Sequence, residues 1–107
     1  MSLKGIYNDC YSVALQTVTN ATAVNLMAVL LADTNAPACI KGGPSTQAWE
    51  IGIENNNVRH GGSTIAAAGP GVLLEAGTKL FLDKTGGPFW VVATGSDAVV
   101  ALNVWYN

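Results

Sequence analysis

Residues 98–106 read AVVALNVWY, and this stretch decides the fold class. Its even positions, from Ala98 to Tyr106, are all apolar, whereas the odd positions include Asn103. A hydrophobic period of two is typical of a β-strand with one buried face. Residues 49–54, WEIGIE, alternate more cleanly, with the tryptophan and both isoleucines on one side and both glutamates on the other. The sequence therefore predicts amphipathic strands.

Further strands are predicted along the chain. Residues 78–83 alternate two leucines against lysine, phenylalanine and aspartate, and residues 72–77 indicate a strand and a turn. In residues 11–19, the side chains of Tyr11, Val13, Leu15 and Thr17 are predicted to share one face. Residues 22–32 fit a buried strand or a short helix, and we favour the strand because no capping box precedes them. Residues 34–47 and 61–71 are predicted to be loops.

Turn signals organise these strands. Gly95-Ser96-Asp97 predicts a tight turn, so residues 89–94 and 98–106 should form a hairpin. The three asparagines at 55–57 predict that residues 58–60 return antiparallel to the strand before them. Breaks of this kind recur about every ten residues. We therefore expect one all-β domain over residues 1–107. It would be a two-sheet antiparallel β-sandwich, jelly-roll or Greek-key-like, of seven or eight strands.

The composition excludes several classes of function. Charged residues make up 11% of the chain, against about 25% in an average soluble domain. Half of the residues are hydrophobic and the net charge is −2, which argues against intrinsic disorder and against nucleic-acid binding. The longest apolar segment, residues 21–32, is too short to span a membrane. The N-terminus does not resemble a signal peptide.

The two cysteines indicate the compartment of synthesis. We expect Cys10 and Cys39 to be buried free thiols, with a disulfide as the open alternative. Free thiols are typical of proteins made in a reducing cytoplasm, and we therefore expect synthesis there.

No residue pattern predicts catalysis, a metal site or a cofactor. Glu50 and Glu54 lie on one strand face about 13 Å apart, too far for a glycosidase pair, and are expected to solubilise that face. His60 is the only histidine, which leaves a multi-histidine metal site without ligands. A hydrolase would need His60 to meet an acid and a hydroxyl in the fold. The Gly69-Pro70-Gly71 segment does not continue into a phosphate-binding loop. We therefore expect a non-enzymatic protein.

Residues 48–107 carry a recurring arrangement of turns and strands. Val58-Arg59-His60-Gly61 follows the asparagine turn, and residues 74–83 read LEAGTKLFLD. The stretch FWVVATG at 89–95 then leads into the last strand. This arrangement resembles small jelly-roll or β-sandwich virion proteins of tailed bacteriophages, of the capsid decoration (cement) type. The resemblance implies a structural protein on the capsid surface, synthesised in the bacterial host cytoplasm. Its partners would be the major capsid protein and its own copies, as a trimer or dimer, with no nucleic acid and no membrane.

The candidate interface lies in residues 89–106, which carry apolar side chains on both faces. Trp90, Val99 and Trp105 are the residues that we expect to contact a partner, because exposed aromatic and aliphatic groups mark binding surfaces. Residues 1–10 are either an arm over a neighbouring subunit or a frayed terminus. The alternative function is a carbohydrate-binding or host-adhesion module of a tail or fibre, with Trp105 stacking on a sugar.

Overall fold

The computed structural model describes residues 6–42, 47–83 and 87–107. Within these ranges the chain forms eight strands, one α-helix (α1) and one short 3-10 turn. The strands are β1 Asp9–Val18, β2 Val24–Asn25, β3 Gln47–Asn55, β4 Val58–Gly61, β5 Val72–Leu74, β6 Lys79–Leu82, β7 Trp90–Ala93 and β8 Ala98–Tyr106. The helix spans Leu26–Ala32 and the 3-10 turn spans Ala38–Ile40.

The strands form two antiparallel sheets of four strands each. Sheet A has the order β1-β8-β3-β6, and sheet B has the order β2-β7-β4-β5. The chain changes sheet at every connection except β4 to β5, which pair directly. This order is that of an eight-stranded jelly roll. The prediction of an all-β two-sheet sandwich is therefore confirmed.

The core lies between the sheets and is built by strand alternation. On β3, Trp49, Ile51 and Ile53 are at most 2% exposed. Their cross-strand partners on β8 are three further buried aliphatic residues, Val104, Leu102 and Val100. The even positions of β8 thus face the core as predicted, and on β6 the two leucines do the same.

Both predicted hairpins are wrong, because each turn is a corner between the two sheets. Strand β7 pairs with β2 and β4, whereas β8 pairs with β1 and β3. Strand β4 likewise pairs with β5 and β7 and not with β3. The two corners lie side by side. Asn56 Nδ2 donates to the Asp97 carbonyl at 2.8 Å, and Asn55 Oδ1 accepts from the Val99 amide at 2.7 Å.

The first third of the chain departs from the prediction in two places. Residues 26–32 form α1 and not a strand, because the Asn25 side chain caps the helix by accepting from the Met27 amide at 3.1 Å. The helix buries Leu26 and Leu30, which lie one turn apart. In β1 the register shifts between Val13 and Gln16, which ends the alternation.

That register shift changes which β1 side chains are buried. Val13 and Val18 face the core, whereas Leu15 is 59% exposed and does not share the face of Val13 as predicted. At the start of the strand, Asp9 and Cys10 pair with β8, so the expected arm over residues 1–10 does not include them. Residues 1–5 of that arm and residues 43–46 of the loop predicted at 34–47 lie outside the described residues.

Both cysteines are free thiols in the structure. Cys10 is exposed, so the prediction that it is buried is wrong. It lies on the outer face of sheet A, opposite Trp105, because Tyr11 and Val13 point to the core. Cys39 is half-buried and packs against the core from the 3-10 turn. In the described ranges, no helix has both the length and the apolar character needed to cross a membrane.

Candidate functional site

The three candidate interface residues lie on two opposite faces of the sandwich. Val91 and Ala93 belong to the core, so Trp90 points outward from sheet B. Val99 and Trp105 point outward from sheet A, because their neighbours on β8 are the buried ones. All three side chains are half-buried. Val99 and Trp105 are six residues apart, about 20 Å along the strand. The structure therefore does not join the three into one surface.

The outer face of sheet B is partly covered by the loop of residues 62–71. Arg59 Nη1 donates to the Gly71 carbonyl at 3.0 Å, and its Nε donates to the Ala67 carbonyl at 3.2 Å. Ile65 from this loop is 9% exposed, although it lies outside the core cluster. Val92, the cross-strand partner of Arg59, is also buried on this side. The loop thus forms a second small packed layer.

Gly71 is required by this packing. Its φ is +126°, which L side chains rarely adopt. A Cβ there would lie 3.0 Å from an Ile65 methyl and 3.1 Å from the Arg59 Cβ. The Gly69-Pro70-Gly71 segment is thus part of a loop that folds back on sheet B.

His60 lies on β4 with its ring stacked on Phe89, the ring centroids 5.2 Å apart and the planes 5° from parallel. Burial lowers the pKa of His60 from its ordinary value, which keeps the ring neutral at pH 7. Among the described residues no neighbouring acid contributes to this shift, whereas a hydrolytic site would need an acid beside the ring. No group of three or more His, Cys, Asp or Glu side chains in the described ranges could hold a metal ion.

A polar network crosses the outer face of sheet A. Glu50 Oε1 accepts from Asn103 Nδ2 at 3.0 Å and from the indole Nε1 of Trp105 at 3.1 Å. Asn103 Oδ1 in turn accepts from the Ser12 hydroxyl at 2.7 Å. The network spans β3, β8 and β1, because Asn103 is the cross-strand partner of both Glu50 and Ser12. It fixes the indole and the carboxylate relative to each other.

The network holds Glu50 in its ionised form. The hydrogen bond from Asn103 is the largest cause that lowers the pKa of Glu50, followed by the Trp105 hydrogen bond and the charge of Lys79. Partial burial acts in the opposite direction. The hydrogen bonds from Asn103 and Trp105 both end on Oε1. Among the described residues none ends on Oε2, which leaves that oxygen as an acceptor.

An open depression of about 420 Å³ adjoins this network. Its floor is formed by Gly52 and Ala101, which are cross-strand partners on β3 and β8. A Cβ built on Gly52 would meet the Ala101 Cβ at 3.8 Å, an ordinary contact, so the space above the floor is empty. The charged side chains that line it are Glu50, Glu54 and Lys79. Glycine inside a strand often marks a place where another group approaches the backbone closely.

Two aromatic side chains flank Glu50, which itself lines the depression. Phe81 on β6 is the cross-strand partner of Glu50 and is 40% exposed. Trp105 approaches Glu50 from β8, and Ala48, its cross-strand partner, is 2% exposed. One acid, one amide and two aromatic rings therefore share a small area of sheet A.

Sequence reasoning found some members of this site and missed others. It placed Glu50 and Glu54 on the outer face of a strand and singled out Trp105, and both placements agree with the structure. It did not link Glu50 with Asn103, Ser12 or Phe81, which come from distant parts of the chain. The available signal was Asn103, the polar residue in the otherwise apolar odd positions of the last strand.

Comparison with protein-family models, with curated proteins and with solved structures gives no match for this chain.

Proposed function

We propose that this protein is a non-enzymatic structural component of a phage virion, a decoration protein that attaches to the capsid shell as a homo-oligomer. The observation that carries the proposal is the jelly-roll strand order, built on a chain with few charges. Jelly rolls occur in viral capsid proteins, lectins and cupins. A cupin metal centre needs several histidines, and this chain has one, which stacks on Phe89. Of the roles that jelly-roll proteins perform, this leaves assembly, as in capsid proteins, and ligand binding, as in lectins.

The distribution of exposed apolar side chains supports assembly. Large hydrophobic side chains that are at least 40% exposed occur on the edge strand β1, on α1, on β5 and on β6. They are Leu15, Leu31, Val72, Leu73 and Phe81, and Ile6, which precedes β1, is exposed as well. Charged groups on a protein surface oppose contact between molecules. Because only 11% of the residues are charged, few such groups surround these apolar side chains. Contacts with several neighbours in a shell would bury them, and many weak contacts add up through multivalency.

The proposal requires that the genome carrying this gene also encode a major capsid protein, and the test uses that protein. Shells assembled from that capsid protein are mixed with the purified protein, pelleted by ultracentrifugation and imaged by cryo-electron microscopy. We expect saturable binding at symmetry-related positions. We also expect a dimer or trimer of the free protein by light scattering. A strictly monomeric protein that stays in the supernatant with these shells would contradict the proposal.

The second candidate function, a carbohydrate-binding or host-adhesion module, is favoured by one observation. The indole of Trp105 is hydrogen-bonded to Glu50, and Glu50 lines an open depression on sheet A. Phe81 is exposed and belongs to both candidate surfaces, so glycan binding is tested on the free protein without shells.

A further inference from the structure

We infer that the outer face of sheet A carries a binding site for a neutral oligosaccharide of two or more hexose units. The site consists of the depression over Gly52 and Ala101 together with Glu50, Phe81 and Trp105. This inference does not depend on attachment to a capsid shell.

The size and shape of the depression fit a sugar ring. A volume of about 420 Å³ lies in the range of small-molecule sites, which is about 300–1,000 Å³. The missing side chain at Gly52 opens the space, and the small Ala101 keeps it open on the β8 side. Glu50 and Phe81 are cross-strand partners, and Glu50 lies two residues before Gly52 on β3. A sugar ring over Gly52 is therefore about 7 Å from this pair. A second sugar unit therefore reaches the pair.

The side chains around the depression match the two kinds of surface on a sugar. Glu50 is ionised and keeps Oε2 as an acceptor for hydroxyl groups, while Asn103 holds its Oε1 in place. Phe81 offers an exposed ring to the apolar C–H face of a sugar. Because Trp105 is hydrogen-bonded to Glu50, its ring and the carboxylate are ordered before a ligand arrives, which lowers the entropic cost of binding.

The charges at the depression disfavour an acidic ligand. Glu50 and Glu54 carry negative charge, and Lys79 offsets one of them. An acidic sugar such as a sialic or uronic acid would meet a net negative site, which disfavours it. The competing occupant is a cationic group, for which free arginine serves as a probe.

Isothermal titration calorimetry tests the site with neutral trisaccharides of glucose, mannose and N-acetylglucosamine, with a sialylated trisaccharide and with arginine. We expect at least one neutral sugar to bind with a Kd of about 1 mM or below. Phe81→Ala should weaken it about tenfold through loss of the ring. Leu73→Ala is the matched control, because Leu73 is 44% exposed on sheet B, and it should leave the affinity unchanged.

Filling the depression gives a second, independent test. Gly52→Val should abolish sugar binding while thermal unfolding still shows a folded sandwich, and Ala101→Leu fills the same space if the first variant does not fold. In ¹H-¹⁵N spectra the Trp105 Nε1 resonance should shift on sugar addition in the wild type only. The inference is overturned if no neutral sugar binds at about 10 mM, if binding survives in a filled variant that is folded, or if only arginine binds.

Discussion

Replacing Gly52 by alanine should stabilise the protein. Gly52 lies in the middle of β3, its φ is not in the left-handed region, and an added Cβ would touch only the Ala101 Cβ, at 3.8 Å. At such a position the main effect is the smaller conformational entropy of the unfolded chain, worth about 0.4–1 kcal/mol. For a domain of this size that corresponds to a rise in Tm of about 2–8 °C.

Urea unfolding, followed by tryptophan fluorescence, measures the free energy of unfolding. Trp49 is 1% exposed and therefore reports on the core. Gly71→Ala is the control that should have the opposite effect on stability. At Gly71 φ is +126°, and an added Cβ would lie only 3.0–3.3 Å from its nearest neighbours. That variant should lose more stability than Gly52→Ala gains, about 1–3 kcal/mol.

The sign of the Gly52→Ala effect decides whether the reasoning holds. A loss of stability would mean that the backbone at Gly52 or the space above it differs from the structure. Equal effects of the two alanine variants would mean that the contacts around Gly71 do not constrain the loop. A stabilised Gly52→Ala protein would also show that the glycine is not kept for the sake of the fold, since glycine weakens a strand interior.

Three further predictions concern the fold. The free energy of unfolding should fall as the pH drops through about 6.5, because burial lowers the pKa of His60 in the folded protein and the unfolded state therefore binds the proton first. His60→Phe should remove this pH dependence, measured by urea unfolding between about pH 7 and 5.5. Asn25→Ala removes the acceptor of two backbone amides and should cost about 1–2 kcal/mol in chemical denaturation, whereas Asn25→Asp should cost less. Leu30→Ala should cost about 2–5 kcal/mol, and the exposed control Leu31→Ala should stay within about 0.5 kcal/mol, with both measured by urea unfolding.

Which side chains are buried could be predicted wherever a strand keeps strict alternation. The residues of β3, β6 and β8 face the core or the solvent as their period of two indicates. The prediction failed in β1, where one register shift moved Leu15 to the surface. It also failed at 26–32, where both periods fit the apolar residues and the capping asparagine decided for a helix.

Strand pairing could not be predicted, because turn chemistry is the same for a hairpin and for a corner between sheets. Asparagine and glycine allow the backbone to reverse in either case. Asn56 and Asn55 also bond to Asp97 and Val99, at the other corner and just after it, about 40 positions along the chain. The local sequence does not specify these long-range contacts, so from sequence a change of sheet cannot be distinguished from a hairpin.

The polar site on sheet A follows from the core on its other side. Packing of Ile51 against Leu102 and of Trp49 against Val104 sets the register of β3 and β8. In that register Glu50 lies opposite Asn103, and a slip of one residue would turn every side chain to the wrong face. A slip of two residues would keep the core apolar but separate the carboxylate from the amide that holds it. From the sequence, Glu50 is predicted only to solubilise the outer face of its strand. Its hydrogen-bond partners could not be predicted, because the packing of the buried face determines which residues lie opposite it.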